Sequence, residues 1–272
     1  MRLNKYLSDA GVCSRREADR LTEAGEITVN GKRAETGMQV ESGDVVVVKR
    51  QKPLSRRRKK VYLAFNKPRG IVCTAEKREK NNVIDYLSYP VRIYPVGRLD
   101  KDSEGLLLMT NDGAIVNGIM RARNRHEKEY QVEVNKEITP EFLKEMASGV
   151  PILDTVTRPC RIQKTGERSF TIILTQGLNR QIRRMCEALG YRVTKLKRVR
   201  IMNIHLKDLK TGEYRPLTEK ELAELKKADR GGKAMNETER MKELVKKAER
   251  SGKSLLPGRP GDHEQPGVRH AV

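Results

Sequence analysis

The chain has 272 residues, with 57 lysines and arginines against 36 aspartates and glutamates, a formal charge of +21. Apolar residues make up 36% and aromatic ones 4%, which suits one large domain or two smaller ones with a modest core. No run approaches the ~18 consecutive apolar residues of a membrane span and no apolar signal core follows Met1, so a cytoplasmic protein without a membrane partner is expected.

Residues 1–48 read as helices followed by a hairpin. Ser14-Arg15-Arg16-Glu17 is a capping-box pattern opening a helix that carries Ala18, Leu21 and Ala24 and stops at Gly25. Ile27 and Val29 then alternate with polar residues up to Asn30-Gly31, a type I′ hairpin signal, and Ser42-Gly43-Asp44 turns the chain into the apolar run Val45 to Val48. Arg15, Arg16 and Arg20, with Lys5 upstream, make a one-signed basic face, readable as a solvated surface or as an RNA contact. A pI near 10 favours the polyanion, because each phosphate neutralised releases condensed counterions. The run RLNKYLSDAGVCSRREADRL, followed by ITVNGK and SGDVV, resembles an S4 RNA-binding domain, with α-L-like helices and a hairpin. That resemblance implies a ligand class, RNA, and specifies no reaction.

Residues 49–60, KRQKPLSRRRKK, hold eight basic side chains, no acidic one and Pro53, a pattern that predicts an extended linker. From 61 to 227, strand-like runs (Val61–Phe65, Tyr130–Val134, Phe170–Leu174) alternate with helix-like ones (Gly113–Met120, Pro140–Ser148, Arg180–Leu189) without regular βαβ spacing. The fold class expected is therefore α+β, on a mixed, mainly antiparallel sheet. Residues 228–272 form a polar, Gly/Pro-rich tail expected to be largely disordered, save for a short amphipathic helix over Asn236 to Arg250. No heptad or apolar seam is present, so a monomer is expected.

Phosphate-cradling and dinucleotide motifs are absent. Cys13, Cys73, Cys160 and Cys186 form no C-x-x-C pair, and His126, His205, His263 and His270 lack ligand spacing, so neither a metal site nor a cofactor is expected. The concentrated signal is GRLDKDSEG at 97–105, running into LLLMTNDG at 106–113. A turn rich in glycine and charge leads into a buried strand, which sets polar side chains at the strand's mouth. Taken alone, each of Asp100, Asp102, Glu104 and Asp112 reads as a turn or cap residue.

This stretch closely resembles the catalytic motif of RNA pseudouridine synthases of the RsuA/RluB-like family. NKPRG at 66–70, KEYQV at 128–132 and GLNRQIRRM at 177–185 resemble the family's other motifs, in the expected order. The resemblance implies a cofactor-free isomerase that breaks the N1–C1′ bond of a uridine, rotates the base and rejoins it through C5. By motif position Asp100 would be the catalytic nucleophile, Arg183 its basic partner and Tyr130 the ring that stacks on the uracil. Arg98, Leu99, Lys101, Arg180, Gln181 and Ile182 would contact the flipped nucleotide and its surroundings. A carboxylate suits the task, since its ionised form either attacks C1′ or takes up a proton. An adjacent guanidinium favours that form. Two blander readings stay open: Arg180 and Arg184 as a phosphate-facing helix edge, and Tyr130 as core.

The run from Gly177 to Ile204, with HEKEY at 126–130 and GVPILDTVT at 149–157, points to family members that act on 23S ribosomal RNA of the large subunit. That type is also associated with a tRNA anticodon stem-loop as second substrate. The alternative is an S4-containing RNA-binding or ribosome-assembly factor with an inactive body. A glycoside hydrolase would need two carboxylates roughly 5–9 Å apart, where this motif offers one carboxylate and an arginine.

Overall fold

The computed structural model describes residues 1–49, 59–76, 78–120 and 126–227. Most of the basic linker and the whole tail, with its expected helix, lie outside the described residues.

The N-terminal module comprises α1 (Leu3–Asp9), α2 (Arg15–Glu23), β1 (Ile27–Val29), β2 (Lys32–Arg33) and β3 (Val46–Val48). The Ser14 hydroxyl accepts the Glu17 amide at 3.1 Å, which caps α2 as the sequence predicts. Asn30 and Gly31 sit at φ +52° and +78°, the paired left-handed conformation of a type I′ turn, and β1 pairs antiparallel with β2 across it. The Asn30 side chain also accepts the Val45 amide and donates to Asp44, both at 2.9 Å, so one residue fixes the hairpin and the loop beside it. β1 pairs with β3 on its other edge. Leu3, Tyr6, Leu7, Ala18, Ile27, Val29, Val46 and Val48 bury together as a core of their own.

The body runs β4 (Tyr62–Lys67), α3 (Val83–Leu87), β5 (Tyr94–Val96), β6 (Glu104–Thr110), α4 (Gly113–Met120), β7 (Lys128–Val134), α5 (Pro140–Ser148), β8 (Pro151–Ile152), β9 (Thr155–Val156), β10 (Arg161–Gly166), β11 (Ser169–Leu174), α6 (Gln181–Ala188), β12 (Val193–Ile201), β13 (Ile204–His205) and β14 (Tyr214–Pro216). Its main sheet has the order β10-β11-β7-β12-β6-β4-β14, with β13 beside β12 and β5 beside β6. Every pairing in it is antiparallel except β12 with β6. The expected α+β class with a mixed, mainly antiparallel sheet is therefore what forms. β4 and β6 are buried along nearly their whole length because both of their faces are covered. Leu106 and Leu108 pack with Ile115 and Ile119 on one face, and Leu107 and Met109 pack with Phe65 and Val83 on the other.

The parallel junction joins the two halves of the sheet. There Gly105 opposes Arg198 at φ +103°, and a Cβ on it would lie 2.3 Å from the Arg198 carbonyl oxygen. Only glycine lets the two backbones come this close. Strand β6 thus begins where the halves meet, and the loop before it opens onto the seam.

Candidate active site

The loop from Gly97 to Ser103 is held from several sides. Gly97 turns at φ +83°, and the Ser103 amide donates to the Asp100 carbonyl at 3.1 Å, closing a tight turn. Leu99 is buried in the core, with its amide donating to Cys73 Sγ at 3.3 Å. The NKPRG segment braces the loop from below. The fully buried Lys67 ammonium donates to Ser103 O at 2.9 Å and to Pro68 O at 2.8 Å, and the Gly70 amide donates to Lys101 O at 2.8 Å. Burial pushes the Lys67 ammonium below its ordinary value, against the pull of Cys73, Asp100 and Asp102. A rigid turn anchored in this way fixes Asp100 at a set position with its carboxylate half-exposed.

Asp100 opens onto a cavity of about 340 Å³, within the ~300–1,000 Å³ range of small-ligand pockets. Arg98, Leu99 and Ser103 of the same loop line it, with Lys128 and Tyr130 from β7, Arg198 from β12 and the loop 174–182 opposite. Tyr130 is half-buried and touches the cores of both halves of the sheet, so it stands at the seam itself. Of the residues singled out in the sequence, Arg98, Leu99, Asp100, Tyr130, Arg180, Gln181 and Ile182 come together here. Lys101 is exposed and is not part of the wall.

Among the described residues the arginine nearest the carboxylate is Arg180, whose Nη1 lies 3.9 Å from Asp100 Oδ2. Arg183, expected as the partner from the motif, turns elsewhere. Its Nη2 donates to Asp102 O at 3.2 Å and Ser103 Oγ at 3.4 Å, and its Nη1 to Val193 O at 3.3 Å. Arg183 is buried within helix α6, and desolvation together with repulsion from Arg180 pushes it below its ordinary value, against the pull of Asp100 and Asp102. It therefore acts on the loop's backbone. Arg180 owes its reach to its place just before α6, where it adopts a left-handed conformation at φ +50° that few side-chain-bearing residues take. Gln181 is buried and closes the turn, its Oε1 accepting the Leu178 amide at 3.0 Å.

In the N-terminal module Lys5, Arg15, Arg16 and Arg20 are all exposed, as an RNA-facing surface requires. Arg20 is paired with Glu17 in the same helix, so its charge is the least available of the four.

Comparison with known proteins decides what this arrangement belongs to. A family model described as RNA pseudouridylate synthase matches residues 61–188, and one for the S4 domain matches residues 1–46. The dual-specificity RNA pseudouridine synthase RluF of Salmonella typhi is 54% identical over 231 residues, 85% of this chain and 80% of that protein. The chain belongs to the RNA pseudouridine synthase family. Ribosomal large subunit pseudouridine synthase B of Bacillus subtilis is 37% identical to the synthase over 243 residues, 86% of this chain and 99% of that protein. A solved pseudouridylate synthase structure superposes with a TM-score of 0.61 at 27% identity, covering 83% of this chain and 99% of that one. The synthase is thus an isomerase acting on RNA, the reaction class that the catalytic-loop motif implies.

Three further ionisable residues stand in the synthase's cavity wall beside those the motifs assign: His126, Lys128 and Arg198. The first two had a legible signal, since His126, Lys128 and Tyr130 recur with the period of two that lines one face of a strand. Arg198 had none, because register shifts on either side of it break that alternation in β12.

Proposed function

We propose that this synthase converts a specific uridine of 23S ribosomal RNA to pseudouridine and accepts a tRNA anticodon stem-loop as a second substrate. The observation that carries the reading is a half-exposed carboxylate, Asp100, fixed on a braced turn at the edge of a nucleoside-sized cavity, with Arg180 beside it and Tyr130 across it. The names of the 54% identical RluF relative and of the large-subunit relative support the choice of substrates.

A uridine inside a helix or loop leaves its stack to enter the cavity, and Tyr130 offers the base a new ring to stack on. Asp100, with Arg180 beside it, then works on the ribose, by attack at C1′ or by accepting a proton. The N1–C1′ bond breaks, the base turns in place, C5 bonds to C1′, the C5 proton leaves for solvent, and N1 takes a proton up from it. Arg183 holds the backbone of Asp102 and so the position of the carboxylate two residues earlier. Arg98 and Gln181 line the wall of the cavity that takes the nucleotide. Residues 1–48 act as the S4 module, adding affinity and placement, and residues 61–227 carry the chemistry.

Pseudouridine mapping of ribosomal and transfer RNA from cells with and without the gene tests the substrates. Loss of one or a few sites in 23S RNA together with a site in a tRNA anticodon stem-loop is expected. Complete retention of all sites would leave an RNA-binding assembly factor as the better account.

A further inference from the structure

One charged side chain of the cavity wall has no task in the chemistry above. Lys128 opens β7 two residues before Tyr130, so the two side chains share a face of the strand. Tyr130 stands opposite Arg198 in the neighbouring strand β12, and all three side chains line the cavity that receives Asp100. Lys128 is half-buried, and its ammonium has no hydrogen-bond or ion-pair partner among the described residues. A desolvated cation without a partner is costly in any fold, and a cavity that holds one is prepared for negative charge.

The reaction generates such a charge. When the N1–C1′ bond breaks, both electrons leave with the base, and the uracil carries a negative charge spread over N1, O2 and O4. That charge is spent when C5 bonds to C1′, returns when C5 gives up its proton, and ends when N1 takes one up. Asp100 is itself an anion and cannot stabilise it. We propose that Lys128 is a further catalytic residue, its ammonium stabilising the uracil anion formed on glycosidic cleavage. The inference rests on the assignment of uridine isomerisation to this cavity.

The groups that face Lys128 set its behaviour with pH. The cavity it lines is shared with Asp100 and Arg98 from the loop before β6, Arg180 from the loop before α6, Arg198 from β12, and His126 and Tyr130 from its own chain segment, and of these Arg198 is the charge that acts on it. Its partner on β11, Leu174, brings no charge. Burial first, and repulsion by Arg198 second, push the ammonium down to about 8. Raising the pH through that value removes the charge the uracil anion needs.

The test is single-turnover pseudouridine formation by the wild-type protein, Lys128→Met and Lys128→Arg between about pH 6 and about pH 9, with RNA Kd and thermal melting on the same preparations. Lys128→Met should lower the rate constant about 10²–10³-fold while changing Kd by less than about threefold. The wild-type rate should fall above about pH 8, and Lys128→Arg, charged throughout, should keep most of the rate and lose that fall. A methionine variant as fast as wild type would overturn the inference. So would one that loses RNA affinity in proportion to its rate, which would mark a phosphate contact, or an arginine variant that melts like wild type yet is as slow as the methionine one. A wild-type protein that forms no pseudouridine would overturn the assignment beneath the inference and the inference with it.

Discussion

At the residue scale, Arg180 joins strain to function. Its φ of +50° costs about 1–2 kcal/mol for a residue with a Cβ, and the conformation aims the guanidinium at Asp100. Arg180→Gly should therefore melt at the wild-type temperature or slightly above while single-turnover activity falls about 10–100-fold. Unchanged activity would remove Arg180 from the chemistry. Gly105 is the opposite case, since an alanine there would drive a Cβ into the Arg198 backbone and should destabilise the protein by about 1–3 kcal/mol in urea unfolding. The catalytic loop was legible in the sequence because glycines, charges and an apolar run follow one another within a few residues. The arginine nearest the carboxylate was not. Arg180 and Arg183 are three residues apart, and which one reaches Asp100 depends on the left-handed turn before α6, which no spacing in the sequence encodes.

At the scale of elements, local signals survived and non-local ones did not. The capped helix α2, the Asn30-Gly31 hairpin and helices α4, α5 and α6 form where periodicity and cap residues place them, because those forces act within a few residues. Strand β12, the partner of both β7 and β6, was hidden by bulges and by basic residues along an otherwise buried strand. A second capping box stands at Thr218 and Glu221, where the Thr218 amide donates to Glu221 Oε2 at 3.0 Å and the Glu221 amide donates to Thr218 Oγ1 at 3.2 Å. Glu221 also accepts both terminal nitrogens of Arg215 on the edge strand β14 at 2.7 Å, which holds its carboxyl down at about 2. A carboxyl depressed in the folded state stabilises above its unfolded value near ~4.3, and that contribution fades as the pH falls towards about 2. Glu221→Gln should accordingly lower the melting temperature at neutral pH, by an amount that shrinks steadily between about pH 5 and about pH 3. A gap independent of pH would assign the loss to packing instead.

For the whole molecule, a charge of +21 and an N-terminal module with a core of its own lead the account to divide the work between holding RNA and changing it. Removing residues 1–48 should weaken binding to ribosomal RNA about 10–100-fold and lower the salt slope of binding by roughly 0.7–0.9 for each phosphate that the module neutralises. Turnover on a saturating short stem-loop should change far less. Equal affinity of the truncated and full chains at physiological salt would deny the N-terminal module its role. The central claim concerns Asp100, and its most direct test uses RNA carrying tritium at C5 of its uridines, because the isomerisation must release that hydrogen to water. The wild-type protein should release label from its target uridine, and Asp100→Asn should bind the same RNA with similar Kd and release none. Release by the asparagine variant at the wild-type rate would contradict the account and return Asp100 to the part of a turn residue.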